Sequence, residues 1–447
     1  MASPFRKQIR DYILSFFAWL VFWLAQSSGI CSSPAQQNSE NAKKADSFVD
    51  SMGVNNHPPS YGGIFANVSL VGSSLSALGI RHVRTSARNI SSDWPTMMKF
   101  YKNYGAKFDL LFTSTISWQK NWGPATTPHT AAWYLQTYAA MVETVEGANE
   151  TDCHSWNYNG MGFPRGTIAF QTDLYNTIKS SSVTSNIPVL APSVCSPAKA
   201  QPQLYGLKCD YGNMHSYPFS HMPSSGMESG YAYIPNAKTV IETTKPIIST
   251  ETGYNNAVET TVQWHPAVSE EASGKYLPRM FAEYFNRSIV RTYTYELMDS
   301  GTDRAQIEQN FGLVCFDGTP KPAFTAEKNL IALLKEPGVT FTPGALAYSL
   351  SGSTSNIHHT LLQKSNGDFY LLAWQEVSTY DTIKKAPVAN PDLPITISLT
   401  TPINSATVYR FDSLGNQTAS SLKIADNTIN LSVPDSLLVV KLSPGRP

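Results

Sequence analysis

The chain alternates strand-like and helix-like segments from about residue 46 to residue 337, and this alternation restricts its fold more than any other feature. Short β-branched runs predict strands, and the longer stretches between them predict helices. A strand followed by a helix, repeated many times, is typical of parallel βα units. The predicted strands are Met52–Asn56, His82–Ser86, Phe108–Thr113, Thr144–Asn149, Pro188–Pro192, Gly212–Tyr217, Ile247–Glu251 and Val290–Glu296.

Eight such strands predict a closed (β/α)8 TIM barrel over residues 46–337. The helices predicted between them include Trp94–Tyr104, Thr130–Val142, Gln171–Ser180 and Glu270–Tyr284. An open, doubly wound sheet would show the same alternation. However, no Gly-x-Gly-x-x-Gly turn follows the first strand, and that turn is expected of a dinucleotide-binding sheet. The closed barrel is therefore favoured.

The pattern changes beyond residue 337, where helical periodicity ends and short alternating strands begin. Turn sequences such as Ser365-Asn-Gly-Asp368 separate these strands. We therefore expect a compact antiparallel β-sandwich over residues 338–447 that packs against the barrel. Its predicted strands are Leu361–Lys364, Phe369–Trp374, Ile395–Leu399, Ala406–Phe411, Leu422–Ile424, Ile429–Leu431 and Leu437–Leu442.

The N-terminus has the layout of a signal peptide. Basic residues precede the apolar run Ile13–Leu24, and small residues follow it. The run is shorter than the span of about 20 apolar residues that a membrane helix needs. We expect a cleaved signal peptide over residues 1–30, a polar spacer over 31–45, and a secreted protein without a membrane anchor after cleavage. An uncleaved anchor is the alternative.

Composition excludes several classes of function. The chain has 33 basic and 33 acidic residues, and charged residues make up only 15% of it, so no basic surface for nucleic acid is expected. No Cys-x-x-Cys pair is present, which argues against structural zinc, and no cofactor or metal is implied. Cys195 and Cys209 flank a proline-containing loop and could form a disulfide.

Two glutamates carry the strongest indication of chemistry. Glu150 follows the fourth predicted strand and Glu251 ends the seventh. Active sites of TIM barrels lie at the carboxyl ends of the strands. Two carboxyl groups facing each other across a cleft can cleave a glycosidic bond, one as proton donor and the other as nucleophile. Glu296 and Asp299, at the end of the eighth strand, are the rival carboxylates.

The sequences Asn149-Glu150 and Thr250-Glu-Thr-Gly253 resemble the motifs that end strands four and seven in clan A retaining glycoside hydrolases. Among these enzymes the chain resembles family 39 and the related cellulase-like and β-glucuronidase-like families. The resemblance implies that Glu150 is the acid/base and Glu251 the nucleophile, acting on an oligosaccharide, polysaccharide or glycoconjugate. In that mechanism Glu150 needs a raised pKa, while Glu251 must stay ionised.

The same resemblance assigns residues around the nucleophile. Leu78-Gly-Ile-Arg-His-Val-Arg84 resembles the second strand, whose last arginine braces the nucleophile. Asn213-Met-His-Ser-Tyr217 resembles the sixth, which implies that His215 and Tyr217 hydrogen-bond Glu251. Arg84 could instead form a buried ion pair with Glu146, which shares strand parity with Glu150. His215 could likewise be a core histidine.

Further residues are expected to contact the sugar. The resemblance implies that Asn149 binds the sugar 2-hydroxyl and that His57 lies beside the terminal sugar. Trp118 and Trp156 fall in loops after predicted strands, where an indole can stack on a sugar ring. The eighth strand departs from the family pattern, because Tyr293-Thr-Tyr-Glu-Leu297 stands where many members carry a tryptophan. Sugar identity, endo or exo action and oligomeric state depend on loop shapes and surfaces that this pattern does not encode.

Two other functions compete with hydrolysis. A barrel metallohydrolase would need clustered ligands such as His-x-His on the first strand, and none is present there. A catalytically inactive carbohydrate-binding barrel would have almost the same sequence, because fold does not fix function. The presence of both Glu150 and Glu251 favours an enzyme.

Overall fold

The computed structural model of the chain describes residues 38–86, 90–112 and 135–445. The predicted signal peptide, Trp118 and the first part of the predicted helix Thr130–Val142 lie outside these ranges. No helix within the ranges combines the length and the apolar character that crossing a bilayer requires.

Parallel strands form the wall of a barrel, as predicted. Two short strands, β1 (Asn38–Asn41) and β2 (Lys43–Lys44), precede it. The barrel strands are β3 (Met52–Asn55), β4 (His82–Ser86), β5 (Lys107–Leu111), β6 (Val142–Glu146), β7 (Val189–Leu190), β8 (Gly212–His215), β9 (Ile247–Thr252) and β10 (Arg291–Thr294). All eight lie at the predicted places.

The strand order shows how the barrel closes. Neighbours follow the order β7, β6, β5, β4, β3, β10, β9, β8, so the sheet begins at β7 and ends at β8. A parallel bridge between Leu190 and Tyr211 joins these two ends. There the amide of Ala191 donates to the carbonyl of Tyr211 at 2.9 Å. The barrel is therefore nearly closed, and the carboxyl ends of its strands meet around one opening.

Helices cover the outside of the barrel. The described ones are α1 (Ala45–Asp50), α2 (Val68–Leu78), α3 (Ile90–Tyr104), α4 (Arg165–Lys179), α5 (Pro197–Ala200), α6 (Tyr233–Lys238), α7 (Glu270–Asn286) and α8 (Pro322–Leu334). Short 3-10 segments occur at Pro59–Tyr61, Gly63–Ala66, Ala139–Met141, Gln201–Leu204 and Ile307–Gln309. Local caps fix the helix ends: the side chain of Ser269 accepts the amide of Ala272 at the start of α7.

Most of the C-terminal strands form two packed antiparallel sheets, as expected, and two short strands pair only with each other. The C-terminal strands are β11 (Ala345–Gly352), β12 (Ile357–Gln363), β13 (Phe369–Gln375), β14 (Tyr380–Asp381), β15 (Ala386–Pro387), β16 (Leu393–Leu399), β17 (Ile403–Phe411), β18 (Gln417–Leu422), β19 (Thr428–Val433) and β20 (Leu438–Pro444). One sheet has the order β1, β11, β16, β19 and the other β18, β17, β20, β13, β12, β2. Their facing apolar side chains, such as Leu371, Ile397 and Val440, form the core between them.

The structure differs from the expected spacer at residues 38–44. There β1 pairs antiparallel with β11, and β2 pairs parallel with β12, so both strands belong to the sandwich. The hydroxyl of Tyr348 donates to Glu40, which anchors the polar strand β1. Because an edge strand is held by backbone pairing, a polar sequence can form one without an apolar face.

The sandwich packs on helix α7 of the barrel through buried polar groups as well as apolar ones. The guanidinium of Arg279 is fully buried and lies 2.8 Å from Glu376. The indole of Trp374 donates to Glu283 at 2.9 Å. Every residue described as lining the barrel opening comes from the barrel itself. The sandwich therefore supports the barrel from the side and leaves the carboxyl ends of the strands accessible.

Candidate active site

A cavity of about 920 Å³ lies at the carboxyl ends of the barrel strands. Residues of β3, β4, β5, β8 and β9 line it, together with residues of the loops after β3, β6, β7, β8, β9 and β10. Its size is within the range of about 300 to 1,000 Å³ that small-molecule sites occupy. Both predicted glutamates, Glu150 and Glu251, line it.

The two carboxylates face each other. Glu251 lies on β9, and Glu150 lies in the loop that follows β6. The backbone of Glu150 has a left-handed conformation, with a φ of 45°. That backbone conformation is uncommon for a residue with a side chain and is typical of sites held by their surroundings. One oxygen of each carboxylate lies within 4.8 Å of the other, with the imidazole of His215 between them.

His215 contacts Glu150 more closely than Glu251, which corrects the partner expected from the sequence. Its Nδ1 lies 2.7 Å from Glu150 Oε1 and 3.5 Å from Glu251 Oε2. The cause is the position of His215 at the end of β8, from which the buried ring reaches across to the loop after β6. The buried imidazole lines the cavity, and its Nε2 has no described hydrogen-bond partner.

The protonation of this pair differs from the expectation for Glu150. Burial alone would raise the pKa of Glu150, but the charge and hydrogen bond of His215 lower it to about 2. Burial would lower the pKa of His215, yet the negative charges of Glu251 and Glu150 raise it above its ordinary value. The expected raised pKa of Glu150 is therefore wrong: the adjacent His215 lowers this pKa, and the two groups titrate as a pair.

Arg84 fulfils both of the interpretations that the sequence left open. Its Nη1 donates to Glu251 at 2.6 Å, and its Nε and Nη2 form a bidentate pair with Glu146 at 2.6 and 3.1 Å. Burial opposes the charge, but the carboxylates of Glu146 and Glu251 raise the pKa of Arg84 well above its ordinary value. The guanidinium thus stays charged and fixes the nucleophile candidate to the buried base of the cavity.

Tyr217 and Asn149 also lie where the sequence placed them. The hydroxyl of Tyr217 donates to Glu251 Oε2 at 2.9 Å, so both oxygens of that carboxylate accept a hydrogen bond. The Oδ1 of Asn149 accepts from Arg84 at 2.8 Å and from Ser193 at 3.3 Å. Because arginine only donates, the Asn149 amide is oriented with its NH2 group away from Arg84.

The remaining predicted site residues have mixed outcomes. His57 lines the cavity, with its Nε2 3.3 Å from the hydroxyl of Tyr295. Trp156 does not line the cavity: its ring packs edge-on against Phe170 of α4 at 6.0 Å, because the loop folds back onto that helix. Trp118 lies outside the described residues, so its placement stays a prediction.

Apart from His57, sequence reasoning did not select the aromatic wall of the cavity. Its aromatic rings form a continuous row, with neighbouring ring centres about 4 to 6 Å apart. The row runs from the loops after β3 and β10 to the loops after β8 and β9. The side chain of Trp264 stands 71% exposed at the rim. The wall comprises Tyr61, His57, Tyr295, Phe311, His265, Phe219 and Tyr231. These residues come from separate loops, so no local pattern identifies them.

The rival carboxylates have different surroundings. Asp299 accepts from Lys321 Nζ at 2.7 Å and from the amide of Gly312 at 2.8 Å, and it does not line the cavity. Glu296 does line the cavity but is 1% exposed and is not held by an arginine. Glu251 is therefore the carboxylate that shares His215 with Glu150.

A disulfide joins the loops after β6 and β7 beside the cavity. It links Cys153 to Cys195, which corrects the suggested Cys195–Cys209 pair, and Cys209 is buried and free. The side chain of Asp152 accepts the amides of Cys195 and Ser196 at 3.1 and 2.9 Å. Together these contacts tie the loop that carries Glu150 to its neighbour.

Comparison with known proteins gives no match in sequence but clear matches in structure. No protein-family profile matches the chain, and no curated protein matches it in sequence. A family 39 glycoside hydrolase from the gut symbiont Bacteroides cellulosilyticus WH2 superposes with a TM-score of 0.59 at 16% identity, covering 90% of this chain and 82% of that one.

Two further solved structures superpose over almost the whole chain. A family 39 β-xylosidase from Caulobacter crescentus has a TM-score of 0.54 at 13% identity, covering 91% of this chain and 98% of that one. The catalytic domain of the family 30 xylanase C from Talaromyces cellulolyticus has 0.53 at 16%, covering 91% and 98%. The chain has the fold of these glycoside hydrolases. The resemblance that the motifs indicated is thereby confirmed for the fold.

Proposed function

We propose that the protein is a retaining glycoside hydrolase that cleaves β-O-glycosidic bonds, with Glu251 as nucleophile and Glu150 as acid/base. The observation that carries this proposal is the approach of one oxygen of each carboxylate to within 4.8 Å inside a single cavity. Carboxyl groups of retaining enzymes lie about 5 to 5.5 Å apart, whereas inverting enzymes leave about 6.5 to 9.5 Å for a water molecule. The short separation supports double displacement.

In the first step Glu251 attacks the anomeric carbon, and the bond to the leaving oxygen breaks as that oxygen takes a proton from Glu150. The hydrogen bonds from Arg84 and Tyr217 fix the orientation of the Glu251 carboxylate. In the second step water attacks the same carbon, gives its proton to Glu150 and releases Glu251. The stereochemistry at the anomeric carbon is retained because the carbon is inverted twice.

His215 supplies the proton that Glu150 needs. Its Nδ1 lies 2.7 Å from Glu150 Oε1, so the proton can move between them without any rearrangement of the backbone. When the ester forms, Glu251 loses its negative charge, and one cause of the raised pKa of His215 disappears. The pair thus delivers a proton in the first step and accepts one in the second.

Asn149 and the aromatic wall position the sugar. The carbonyl of Asn149 is held by Arg84, so its NH2 group can donate to the sugar 2-hydroxyl, a contact that strengthens in the oxocarbenium-like transition state. The aromatic rings offer flat faces for stacking. A carbohydrate is therefore the substrate class we propose, in line with the names of the structurally similar enzymes.

We also propose that the protein acts outside the cytoplasm. The Cys153–Cys195 disulfide supports this, because disulfides persist in oxidising compartments. The basic and apolar N-terminal pattern supports export as well.

The proposal is tested with Glu150→Gln, Glu251→Gln and, as control, Glu308→Gln at the cavity rim. Glu150→Gln should slow natural glycosides about 100- to 10,000-fold and aryl glycosides with good leaving groups much less, since these need little protonation. Glu251→Gln should abolish turnover and labelling by a mechanism-based 2-fluorosugar. Glu308→Gln should keep both.

Peptide mapping of the labelled protein identifies the nucleophile directly. A label on Glu296 or Glu308 would overturn the assignment of Glu251. Equal rate losses on activated and natural substrates in Glu150→Gln would overturn the acid/base assignment. Inversion of the product anomer, observed by NMR, would refute double displacement.

A further inference from the structure

The loop between β8 and α6, residues 216–232 and here called the β8 loop, forms part of the cavity wall. Tyr217, Phe219 and Tyr231 of this loop line the cavity. Tyr217 also donates a hydrogen bond to the carboxylate of Glu251 at 2.9 Å. The position of the loop therefore decides both the orientation of the proposed nucleophile and the shape of the wall beside it.

The β8 loop encloses a second cavity of its own. This cavity has a volume of about 430 Å³, and all the described residues that line it lie between 217 and 231. Tyr217, Phe219 and Tyr231 line both cavities. Atoms beside a cavity lose packing contacts on that side. The course of the loop therefore depends on the hydrogen bonds that its backbone makes with the rest of the protein.

Side chains of the barrel bind the first part of the loop. The hydroxyl of Tyr233 donates to the carbonyl of Tyr217 at 3.0 Å. The hydroxyl of Tyr254 donates to the carbonyl of His221 at 2.9 Å. These contacts fix the loop as far as residue 221, and the residues that follow bind the sandwich.

Glu376 of the sandwich binds the loop and helix α7 at the same time. It comes directly after β13, and its side chain is 3% exposed. Its Oε1 accepts the amide of Ser224 at 2.8 Å. Its Oε2 accepts Nη2 of Arg279 at 2.8 Å and the indole of Trp374 at 3.1 Å. Because hydrogen bonds to an ionised acceptor are about twice as strong as neutral ones, this buried carboxylate links the loop firmly to the sandwich.

Building on the proposed hydrolase function, we propose that Glu376 is a positioning residue for the reaction. By binding the amide of Ser224, it holds the β8 loop where Tyr217 contacts Glu251 and where Phe219 stands in the cavity wall. The sandwich then contributes to sugar binding, although each described residue of that wall belongs to the barrel. Two observations carry this: the Ser224–Glu376 hydrogen bond, and the place of the same loop in the wall of the active-site cavity.

A neighbouring ion pair separates this role from simple attachment of the sandwich. Nζ of Lys275 lies 3.0 Å from Oδ1 of Asp435, so this pair also joins α7 to the sandwich. Lys275 lies one helical turn before Arg279, on the same face of α7. No described hydrogen bond of Asp435 reaches the β8 loop. Asp435→Asn is therefore the matched control, because it weakens the attachment and leaves the loop contact intact.

Two substitutions remove the loop contact in different ways. Glu376→Gln has one acceptor oxygen in place of two, and the charged guanidinium of Arg279 binds that oxygen more strongly than the neutral amide of Ser224 does. The amide of Ser224 then faces the NH2 group of the new side chain. Glu376→Asp keeps the negative charge beside Arg279, but its side chain is one methylene shorter and does not span both partners. The second variant covers the case in which the first is poorly folded.

Hydrogen–deuterium exchange followed by mass spectrometry reports the loop contact without any substrate. Peptides that contain Ser224 should exchange about tenfold or more faster in Glu376→Gln and Glu376→Asp than in the wild type, because the amide has lost its acceptor. The same peptides should be unchanged in Asp435→Asn. Melting curves establish that each variant is folded.

Kinetics on the best substrate in a panel of p-nitrophenyl β-glycosides report the consequence for the reaction. In both Glu376 variants kcat/KM should fall about tenfold, mainly through a higher KM, because a displaced loop no longer offers Phe219 and Tyr231 to the sugar. Asp435→Asn should keep the wild-type KM. Weaker attachment of the sandwich does not by itself produce this difference.

Unchanged exchange and unchanged KM in both Glu376 variants would overturn the proposal. An equal rise in KM in Asp435→Asn would also overturn it, since Glu376 would then act only by attaching the sandwich. The two proposals fail separately. Faster exchange in the Glu376 variants of a protein that cleaves no glycoside would refute hydrolysis while Glu376 still holds the loop. Turnover with unchanged exchange and KM would support hydrolysis and refute the role of Glu376.

Discussion

Replacing Arg84 by methionine separates the two roles that this residue fulfils. The change removes five described hydrogen bonds, to Glu146, Glu251, Asn149 and Asn55. It leaves Glu146, which is fully buried, without the opposite charge that neutralises it. Methionine keeps most of the side-chain volume, so the result reports on charge and hydrogen bonding rather than on a cavity.

The structural cost follows from the burial of Glu146. Removing one partner of a buried ion pair costs about 3 to 5 kcal/mol. Glu146 retains hydrogen bonds from Asn213 at 2.8 Å and Thr250 at 3.2 Å, so we expect the lower end, about 3 kcal/mol. The functional cost is separate. Losing a charged hydrogen bond to Glu251, worth about 1.5 to 3 kcal/mol, should lower kcat/KM about 10- to 100-fold.

The double variant Arg84→Met/Glu146→Gln distinguishes these costs. It removes the uncompensated charge while the Gln amide oxygen can still accept from Asn213. The free energy of unfolding, measured by urea denaturation, should return to within about 1 to 2 kcal/mol of the wild type. The loss in kcat/KM should persist, because Glu251 still lacks its brace.

Full recovery of kcat/KM in the double variant would refute the bracing role and leave Arg84 as a purely structural partner of Glu146. An undiminished free energy of unfolding in Arg84→Met would instead refute the inference that the charge of Glu146 depends on Arg84. The single variant Glu146→Gln completes the double-mutant cycle and shows whether the two effects are additive.

Three other perturbations test the site. Replacing Cys153 and Cys195 by serine opens a covalent loop with a sequence separation of 42 residues, which should lower the free energy of unfolding by about 4 kcal/mol. It should also lower kcat, because the loop that carries Glu150 is then held less firmly. The pKa of His215 is raised above the ordinary histidine value of about 6.5, so the Glu150–His215 pair should keep its proton at that pH and lose it as the pH rises further. The alkaline limb of the kcat/KM profile should therefore lie above pH 6.5. Trp264→Ala should raise KM for long oligosaccharides about 2- to 10-fold with little change in melting temperature, because the indole is 71% exposed and its stacking would be lost.

Each of these has an outcome that contradicts it. Unchanged stability without the disulfide would show that the loops are held by other contacts such as those of Asp152, and Cys209→Ser is the control for loss of a thiol. An alkaline limb at or below pH 6 would contradict proton storage on His215. Equal KM changes for the smallest and the longest substrates would place Trp264 outside the sugar-binding path.

The local pattern of the sequence was sufficient for the eight barrel strands, for six strands of the sandwich (β12, β13, β16, β17, β19 and β20) and for naming the two candidate glutamates. Strands are recognised by β-branched residues within a few positions of each other, and Glu251 lies inside one of them. The carboxyl ends of all barrel strands meet at one opening, so a carboxylate predicted at the end of a strand is also predicted to lie near that opening. The dense apolar strands of the sandwich, such as β13, were predictable for the same reason.

The errors came from contacts between residues that are far apart in sequence. Trp156 follows a barrel strand as expected, but its loop packs on α4. Cys195 bonds Cys153 rather than Cys209, because the loops after β6 and β7 are neighbours in space. Both outcomes depend on loop conformations that no short window of sequence specifies.

The sequence alone thus determined a parallel barrel followed by an antiparallel sandwich, and a carboxylate at the ends of strands four and seven, since periodicity and strand-end position are properties of neighbouring residues. Only the tertiary structure decided that His215 contacts Glu150 more closely than Glu251, and that Arg84 binds Glu146 and Glu251 at once. These facts depend on distances and burial across the barrel, which arise when strands from the whole length of the chain close into one wall.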